Sequence, residues 1–171
     1  HFYKKTTVIK IGISNNQMKV MKFGGTSVGN PESLQLVKKI IESQKEPVIV
    51  VVSALDGITD RLLLAADFAL KNNQGYKSLL DELVERHRNV IEKTITSNVA
   101  KEEVKIKTDQ LFEELRNILR GVYLIGDLSQ KTSDKIVSYG ERLSSLIVSK
   151  MIDGSQLYDS TKFIKTNKQF N

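Results

Sequence analysis

Residues 19–52 read KVMKFGGTSVGNPESLQLVKKIIESQKEPVIVVV. Lys19 to Phe23 is a short β-type run that stops at Gly24-Gly25. Asn30-Pro31 opens a helix, because Asn accepts hydrogen bonds from free backbone N–H groups and Pro suits the first turn. Leu34, Val37, Ile40 and Ile41 follow at helical spacing and predict one apolar stripe. Pro47 ends the helix and leads into Val48 to Val52, a β-branched run without polar alternation. Such a run suits a strand of a parallel sheet covered on both faces. Two strands joined by a helical crossover form a right-handed βαβ unit. The class is α/β.

Upstream, residues 1–17 (HFYKKTTVIKIGISNNQ) differ in character. Lys10 breaks their apolar stretch and no small-residue cleavage site follows, so they do not read as a signal peptide. They are read as an N-terminal extension, an extra edge strand over 7–13, or a leftover of cloning, with Met18 a natural start. Downstream, Thr59 or Asp60 is expected to cap a helix carrying Leu62, Leu63, Ala66, Ala69 and Leu70. Two long helices over about 76–93 and 101–120 are expected as a helical insertion (about 76–120) beside the sheet of an 18–171 domain. A further helix over about 133–152 ends at Asp153-Gly154. Strand-like pieces follow at Leu157-Tyr158 and Phe163-Ile164.

The 171 residues are 40% hydrophobic and 27% charged, an ordinary globular composition. With no cysteine there are no disulfides or thiolate metal sites. No uninterrupted apolar run exceeds five residues, as at Val48 to Val52, against about 20 needed to span a bilayer. No membrane partner is expected. The net charge of +6 invites a nucleic-acid reading, but Lys4, Lys5 and Lys10 supply +3 of it in the first 17 residues. Lys and Arg alternate with Asp and Glu over 76–120, as on solvated helix faces, so no nucleic-acid partner is expected.

Three stretches can carry chemistry. Lys22-Phe23-Gly24-Gly25-Thr26-Ser27 places glycines after a strand, where backbone N–H groups approach an anion without an intervening Cβ. Lys22 adds a point charge and the following helix a partial positive end, so phosphate is the natural guest. The plain alternative is a tight turn beside a surface lysine. Ser53-Ala54-Leu55-Asp56-Gly57-Ile58-Thr59 leaves the second strand at the same sheet edge, where open α/β sheets bind ligands. Thr59 either faces that site or caps the next helix. In Ser138-Tyr139-Gly140-Glu141-Arg142, Gly140 interrupts a helical pattern, which marks a close approach of backbone or ligand. Glu141 shares the stripe of Val137 and Val148, so its carboxylate either pairs with a nearby Arg or Lys or receives a cationic ligand group. The histidines are His1, at the terminus, and His87, on a charged helix, and neither builds a triad or metal cluster.

Taken in order, KFGGTSV (22–28), VVSALDGITD (51–60), SYGERLS (138–144) and YDSTKFIKT (158–166) resemble the aspartokinases of the amino-acid kinase superfamily. The resemblance runs from about Met18 to Phe170. It implies a three-layer αβα sandwich with a mainly parallel sheet. It also implies transfer of the ATP γ-phosphoryl group to the side-chain carboxylate of L-aspartate, in lysine, threonine and methionine synthesis. By the resemblance Lys22 is catalytic, and Lys22, Gly24, Gly25 and Ser27 bind the phosphate. Ser53, Ala54, Thr59 and Glu141 line the aspartate site. ATP brings Mg²⁺ with it, since the stretch has no carboxylate cluster of its own. The implied parent is a cytoplasmic homo-oligomer.

Aspartokinases also carry a GRGGSD-like segment, most of a nucleotide-binding lobe and regulatory ACT domains, which this sequence lacks. The chain is therefore expected to be the N-terminal, aspartate-side part of a longer enzyme and inactive alone. Two other readings compete: a superfamily member acting on a different carboxylate or carbamate, and a non-catalytic module binding an anion or a partner chain.

Overall fold

The computed structural model describes residues 18–160 and the backbone of 8–11. The head outside 8–11, His1 and the strand-like piece at Phe163-Ile164 lie outside the described residues. The element order is β1 (Val8–Ile11), β2 (Lys19–Phe23), α1 (Pro31–Glu42), β3 (Val48–Val52), α2 (Ile58–Leu70), α3 (Gly75–Thr94), α4 (Asn98–Ile125), α5 (Gln130–Met151) and β4 (Gln156–Tyr158). A 3-10 turn, Thr26–Val28, sits between β2 and α1. The class is α/β, as the sequence predicts.

β2 and β3 pair in parallel, from Lys19 opposite Val48 to Phe23 opposite Val52. The sheet order is β2-β3-β1-β4, with β1 antiparallel to both β3 and β4. Three of the four strands thus run one way and β1 runs against them. Of residues 7–13, expected as an edge strand, Val8–Ile11 form an interior strand instead. The exposed backbone edge of β3 is a template for another strand, and the β-branched Val8–Ile11 run takes it.

The βαβ unit forms as its residues dictate. The Asn30 side chain accepts the Ser33 N–H at 2.8 Å, and Pro31 occupies the first helical position. Leu34, Val37 and Ile41 are buried, whereas Ile40, expected in the same stripe, is 45% exposed. It lies at the stripe's margin, one position beyond what the neighbouring elements cover. Alternation along the strands divides the sheet into two faces. Val48, Val50 and Val52 are buried, and Met21 and Phe23 pack against the same core. Val20 on the other face is 64% exposed.

α5 is the centre of the molecule. It packs against β1, β3 and β4 and against all four other helices. Residues on every side of it are therefore buried, including Ser138, Glu141, Ser144, Ser145 and Ser149. Serines suit this position because they are small and pass their protons to carbonyls: Ser138 to Lys135 O at 2.7 Å and Ser149 to Leu146 O at 2.8 Å. One contiguous core links the sheet to the α3–α4 hairpin. The described residues thus supply the sheet and one thick helical side of it. No helix among them is long and apolar enough to cross a membrane.

Candidate functional site

Two loops and the helix α5 meet where β2 and β3 end. The Ser53 N–H donates to Phe23 O at 3.0 Å, closing the two strand ends together. A Cβ built on Gly25 would lie 3.3 Å from Ala54 O and 3.7 Å from Asp56 Cα, so Gly25 sits directly against the loop after β3. Gly29 is tighter still: its Cβ would come within 2.8 Å of Asp56 Cβ. The same loop meets α5 on its other side. A Cβ on Gly140 would stand 2.7 Å from Ala54 Cβ, and the Ser144 hydroxyl donates to Ser53 O at 2.7 Å. The close approach predicted for Gly140 is therefore to backbone and to Ala54.

The predicted site residues distribute as follows. Lys22, next to last in β2, is exposed and pairs with no carboxylate among the described residues. Its neighbours Met21 and Phe23 pack on the core, so its side chain leaves the opposite face of the strand. Gly24 has no atom within 4 Å of its Cβ position, and the backbone there is open. Ser27 is exposed in the 3-10 turn. Ser53 is half-buried and Ala54 is buried. Glu141 is 1% exposed, one residue from the Gly140–Ala54 contact. The loops of the phosphate-type and carboxylate-type residues are thus joined, while the Lys22 and Glu141 side chains start from different sides of the junction.

Thr59 does not cap α2, contrary to one of its two readings, and nor does Asp60. The helix starts at Ile58, and its N-cap is Gly57, which gives no side-chain hydrogen bond. Gly57 has φ +70°, a left-handed conformation in which a side chain is strained. Thr59, half-buried in the first turn, makes no hydrogen bond to a described side chain or carbonyl through its hydroxyl.

One neighbour carries no distinctive sequence signal. Arg86, from α3, donates to Gly29 O at 3.3 Å and comes 3.9 Å from the Cβ position of Gly57. In the sequence it sits inside an alternating charge run that reads as solvated surface. Tyr139 and Arg142 flank Gly140-Glu141 and clamp α5 to α4. The Tyr139 hydroxyl donates to Glu114 at 2.9 Å, and the Arg142 guanidinium lies 4.5 Å over the Tyr139 ring. Burial, reinforced by the Glu114 hydrogen bond, pushes the Tyr139 phenol up.

His87 stands apart from the site. It is fully buried between α3 and α4, with Nδ1 2.7 Å from Leu83 O and its ring edge-on to Phe112 at 5.3 Å. A carbonyl only accepts, so Nδ1 carries the proton and buried Nε2 is bare. Burial lowers its pKa to about 4. A cleft of about 480 Å³ opens near the C-terminal end of α5, bordered by Lys38, Ser97, Lys107, Lys150 and Leu157. None of the motif residues lines it. Among the described residues no group of three His, Asp or Glu is placed to hold a metal ion.

A parallel strand pair whose glycine loop and second loop meet a central helix at the strand ends defines an α/β domain of the kind that binds ligands at the carboxyl edge of its sheet. The chain belongs to the amino acid kinase family, whose profile matches residues 17–166. It is 38% identical to an aspartokinase of Candida albicans over 142 residues, covering 78% of this chain and 25% of that protein. It is 33% identical to the bifunctional aspartokinase/homoserine dehydrogenase of Buchnera aphidicola, over 84% of this chain and 18% of the relative. Aspartokinase III of Escherichia coli, solved with lysine and aspartate in its T-state, superimposes with a TM-score of 0.67 at 25% identity. That match covers 78% of this chain and 28% of the other. The same enzyme with aspartate and ADP in its R-state gives 0.63 at 27% identity, over 79% and 28%. The chain spans a quarter or less of the length of these curated relatives.

Proposed function

We propose that this chain is the aspartate-side part of an aspartokinase. The complete enzyme would transfer the γ-phosphoryl group of ATP to the side-chain carboxylate of L-aspartate, giving 4-phospho-L-aspartate for lysine, threonine and methionine synthesis. The observation that carries this reading is the meeting of the Gly24–Asn30 loop, the Ser53–Thr59 loop and the Gly140–Ser144 turn of α5 at one strand edge. Its likeness to aspartokinases solved with aspartate and with ADP supports the choice of ligands.

Phosphoryl transfer asks a protein chiefly for position and electrostatics. A carboxylate oxygen of aspartate attacks the γ-phosphorus, and the bond from that phosphorus to the oxygen bridging to ADP breaks. Charge grows on the phosphoryl oxygens and the leaving group. Gly24 and Gly25 offer main-chain N–H groups there, and the open space over Gly24 gives the migrating group room. The Ser27 hydroxyl lies on the same turn. Lys22 carries its ammonium on a flexible four-carbon stem, which would have to swing from the exposed face of β2 round the strand end to reach that space. Glu141 takes the substrate's ammonium, Thr59 orients its carboxylates, and Ser53 and Ala54 wall the pocket. Mg²⁺ enters bound to ATP. In this reading residues 18–171 are the N-terminal, aspartate-side part of the kinase domain with its helical insertion (about 76–120), and 1–17 are an extension or a leftover of cloning. The parent enzyme is a cytoplasmic homo-oligomer, and the 171 residues alone turn over little or nothing.

The test is Lys22→Ala in the complete enzyme, followed by trapping the acyl phosphate as aspartyl hydroxamate. Loss of a charge stabiliser is expected to lower kcat by about two to three orders of magnitude. An unchanged rate would sink the catalytic role and favour a binding module. A preference for glutamate or N-acetylglutamate over aspartate would move the protein to another branch of its family.

A further inference from the structure

We infer that Arg86 is a positioning residue: its guanidinium staples the glycine loop after β2 to the loop after β3, making the α3–α4 hairpin part of the phosphate site. Its Nη2 donates to Gly29 O at 3.3 Å, and its Nη1 stands 3.9 Å from the Cβ position of Gly57. Gly29 is one of the points where the two loops touch, and Gly57 directly follows Asp56, the residue that Gly29 meets. Gly29 lies so close to Asp56 that a methyl group would intrude to 2.8 Å. Gly57 holds the left-handed conformation that starts α2 two residues before Thr59.

The local hydrogen bonds show what the staple adds. The 3-10 turn is closed internally by Val28 N–H to Gly25 O at 3.1 Å and, more weakly, by Gly29 N–H to Thr26 O at 3.4 Å. Neither bond fixes the turn against the rest of the molecule; buried Val28 and the Gly25 and Gly29 contacts do so by packing, and Arg86 adds a directed hydrogen bond at the carbonyl that follows the turn. The charge setting points the same way. Arg61, Arg88, Arg116 and Arg142 are ion-paired, whereas exposed Arg120 and half-buried Arg86 have no carboxylate within 4 Å among the described residues. The Arg86 charge is spent on a main-chain carbonyl beside the anion loop and so favours an anion there.

The kinetic arm of the test rests on the phosphoryl-transfer reading; the exchange arm does not. In the complete enzyme Arg86→Ala is expected to lower kcat about 10- to 100-fold, as misplacing a reacting group does, with KM for aspartate changed under about threefold. Arg86→Lys, which keeps a donor and the charge, should recover most of that loss. In the 171-residue chain, amide hydrogen exchange at 27–30 and 57–59 should speed up about tenfold or more in Arg86→Ala while α4 stays protected. Should Arg86→Ala not fold, Arg86→Gln takes its place, with kcat at least about fivefold down and melting unchanged. A kcat within twofold of wild type, or a uniform rise in exchange along the whole chain, would overturn the staple. If wild-type protein phosphorylates no aspartate, the function proposed above fails, and the exchange pattern alone then decides the role of Arg86.

Discussion

The strand-end site and the α3–α4 hairpin are held together by different means. At the site, contact is made by backbone and by the smallest side chains: Gly25 on Ala54, Gly29 on Asp56, Gly140 on Ala54, Ser144 on Ser53. The hairpin buries Leu80, Leu83, Val90, Phe112, Leu115 and Leu119, and rims them with exposed ion pairs such as Arg88–Asp109 and Arg116–Asp81. Direct backbone contact leaves no slack, which suits the role proposed for these loops, presenting N–H groups at fixed positions. Bulky side chains bury more apolar area per residue and tolerate change at their edge. The hairpin should therefore be robust at its rim and vulnerable at one point, its buried imidazole.

That point gives the largest expected effect. An unfolded chain binds a proton at His87 below its ordinary pKa of 6.5, whereas the folded chain does so only near 4. Between those values the unfolded state holds more protons, so stability falls as the pH drops. The loss is absent above pH 6.5 and complete near 4, and amounts to about 3 kcal/mol. Roughly 2 kcal/mol of it should be visible in urea melts between pH 7 and 5. The exposed carboxylates of Glu92 and Glu103, held low by lysine hydrogen bonds, exert their effect only from about 4.5 downward. His87→Leu should flatten the slope between pH 7 and 5; an equally steep slope in that variant would place the sensitivity elsewhere.

The next effect tests the small-residue side. Gly140→Ala puts a methyl 2.7 Å from Ala54 Cβ, with Ile58 and Leu62 closing the space at 3.5 Å. Overpacking of this kind costs about 2 kcal/mol. If contact with Ala54 is the cause, Gly140→Ala with Ala54→Gly should recover more stability than the two single changes predict by addition. Simple additivity would mean that α5 moves as a whole and that the contact is not the tight one.

The sequence exposes these two regions unequally, for physical reasons. Backbone contact requires Gly, Ala or Ser at fixed spots, so KFGG, SALDG and SYGER stand out as strings. Strand β3 and helix α1 are readable because Val48–Val52 and the Asn30-Pro31 start each have one sensible conformation. α5 is less readable. A helix surrounded on every side has no polar face, and its serines look like surface until Lys135, Ser53 and Leu146 supply their carbonyls. Thr59 resembles a cap because a hydroxyl there is a good one, yet the left-handed turn at Gly57 starts the helix two residues earlier. Nothing local distinguishes Arg86 or His87 from the charges around them. Their roles come from α3 facing α1 and the strand loops on one side and α4 on the other, which only tertiary packing fixes.

The smallest effect concerns the rim of the hairpin. Pairs 81/116, 88/109 and 92/105 mark one antiparallel register between α3 and α4, so the charges line up along the whole seam. Alignment alone does not make them strong. Arg88 reaches Asp109 at 3.3 Å with both side chains about half exposed (47% and 48%), where water and salt screen the attraction. A double-mutant cycle on Arg88→Ala and Asp109→Ala should give a coupling of about 0.5 kcal/mol or less, shrinking further in 0.5 M salt. The seam would then select register against slipped alternatives, with the buried Leu, Val and Phe side chains supplying the stability. A coupling above about 1.5 kcal/mol that survives salt would reverse that division of labour and make the charged rim, rather than the apolar interior, the main clasp of the hairpin.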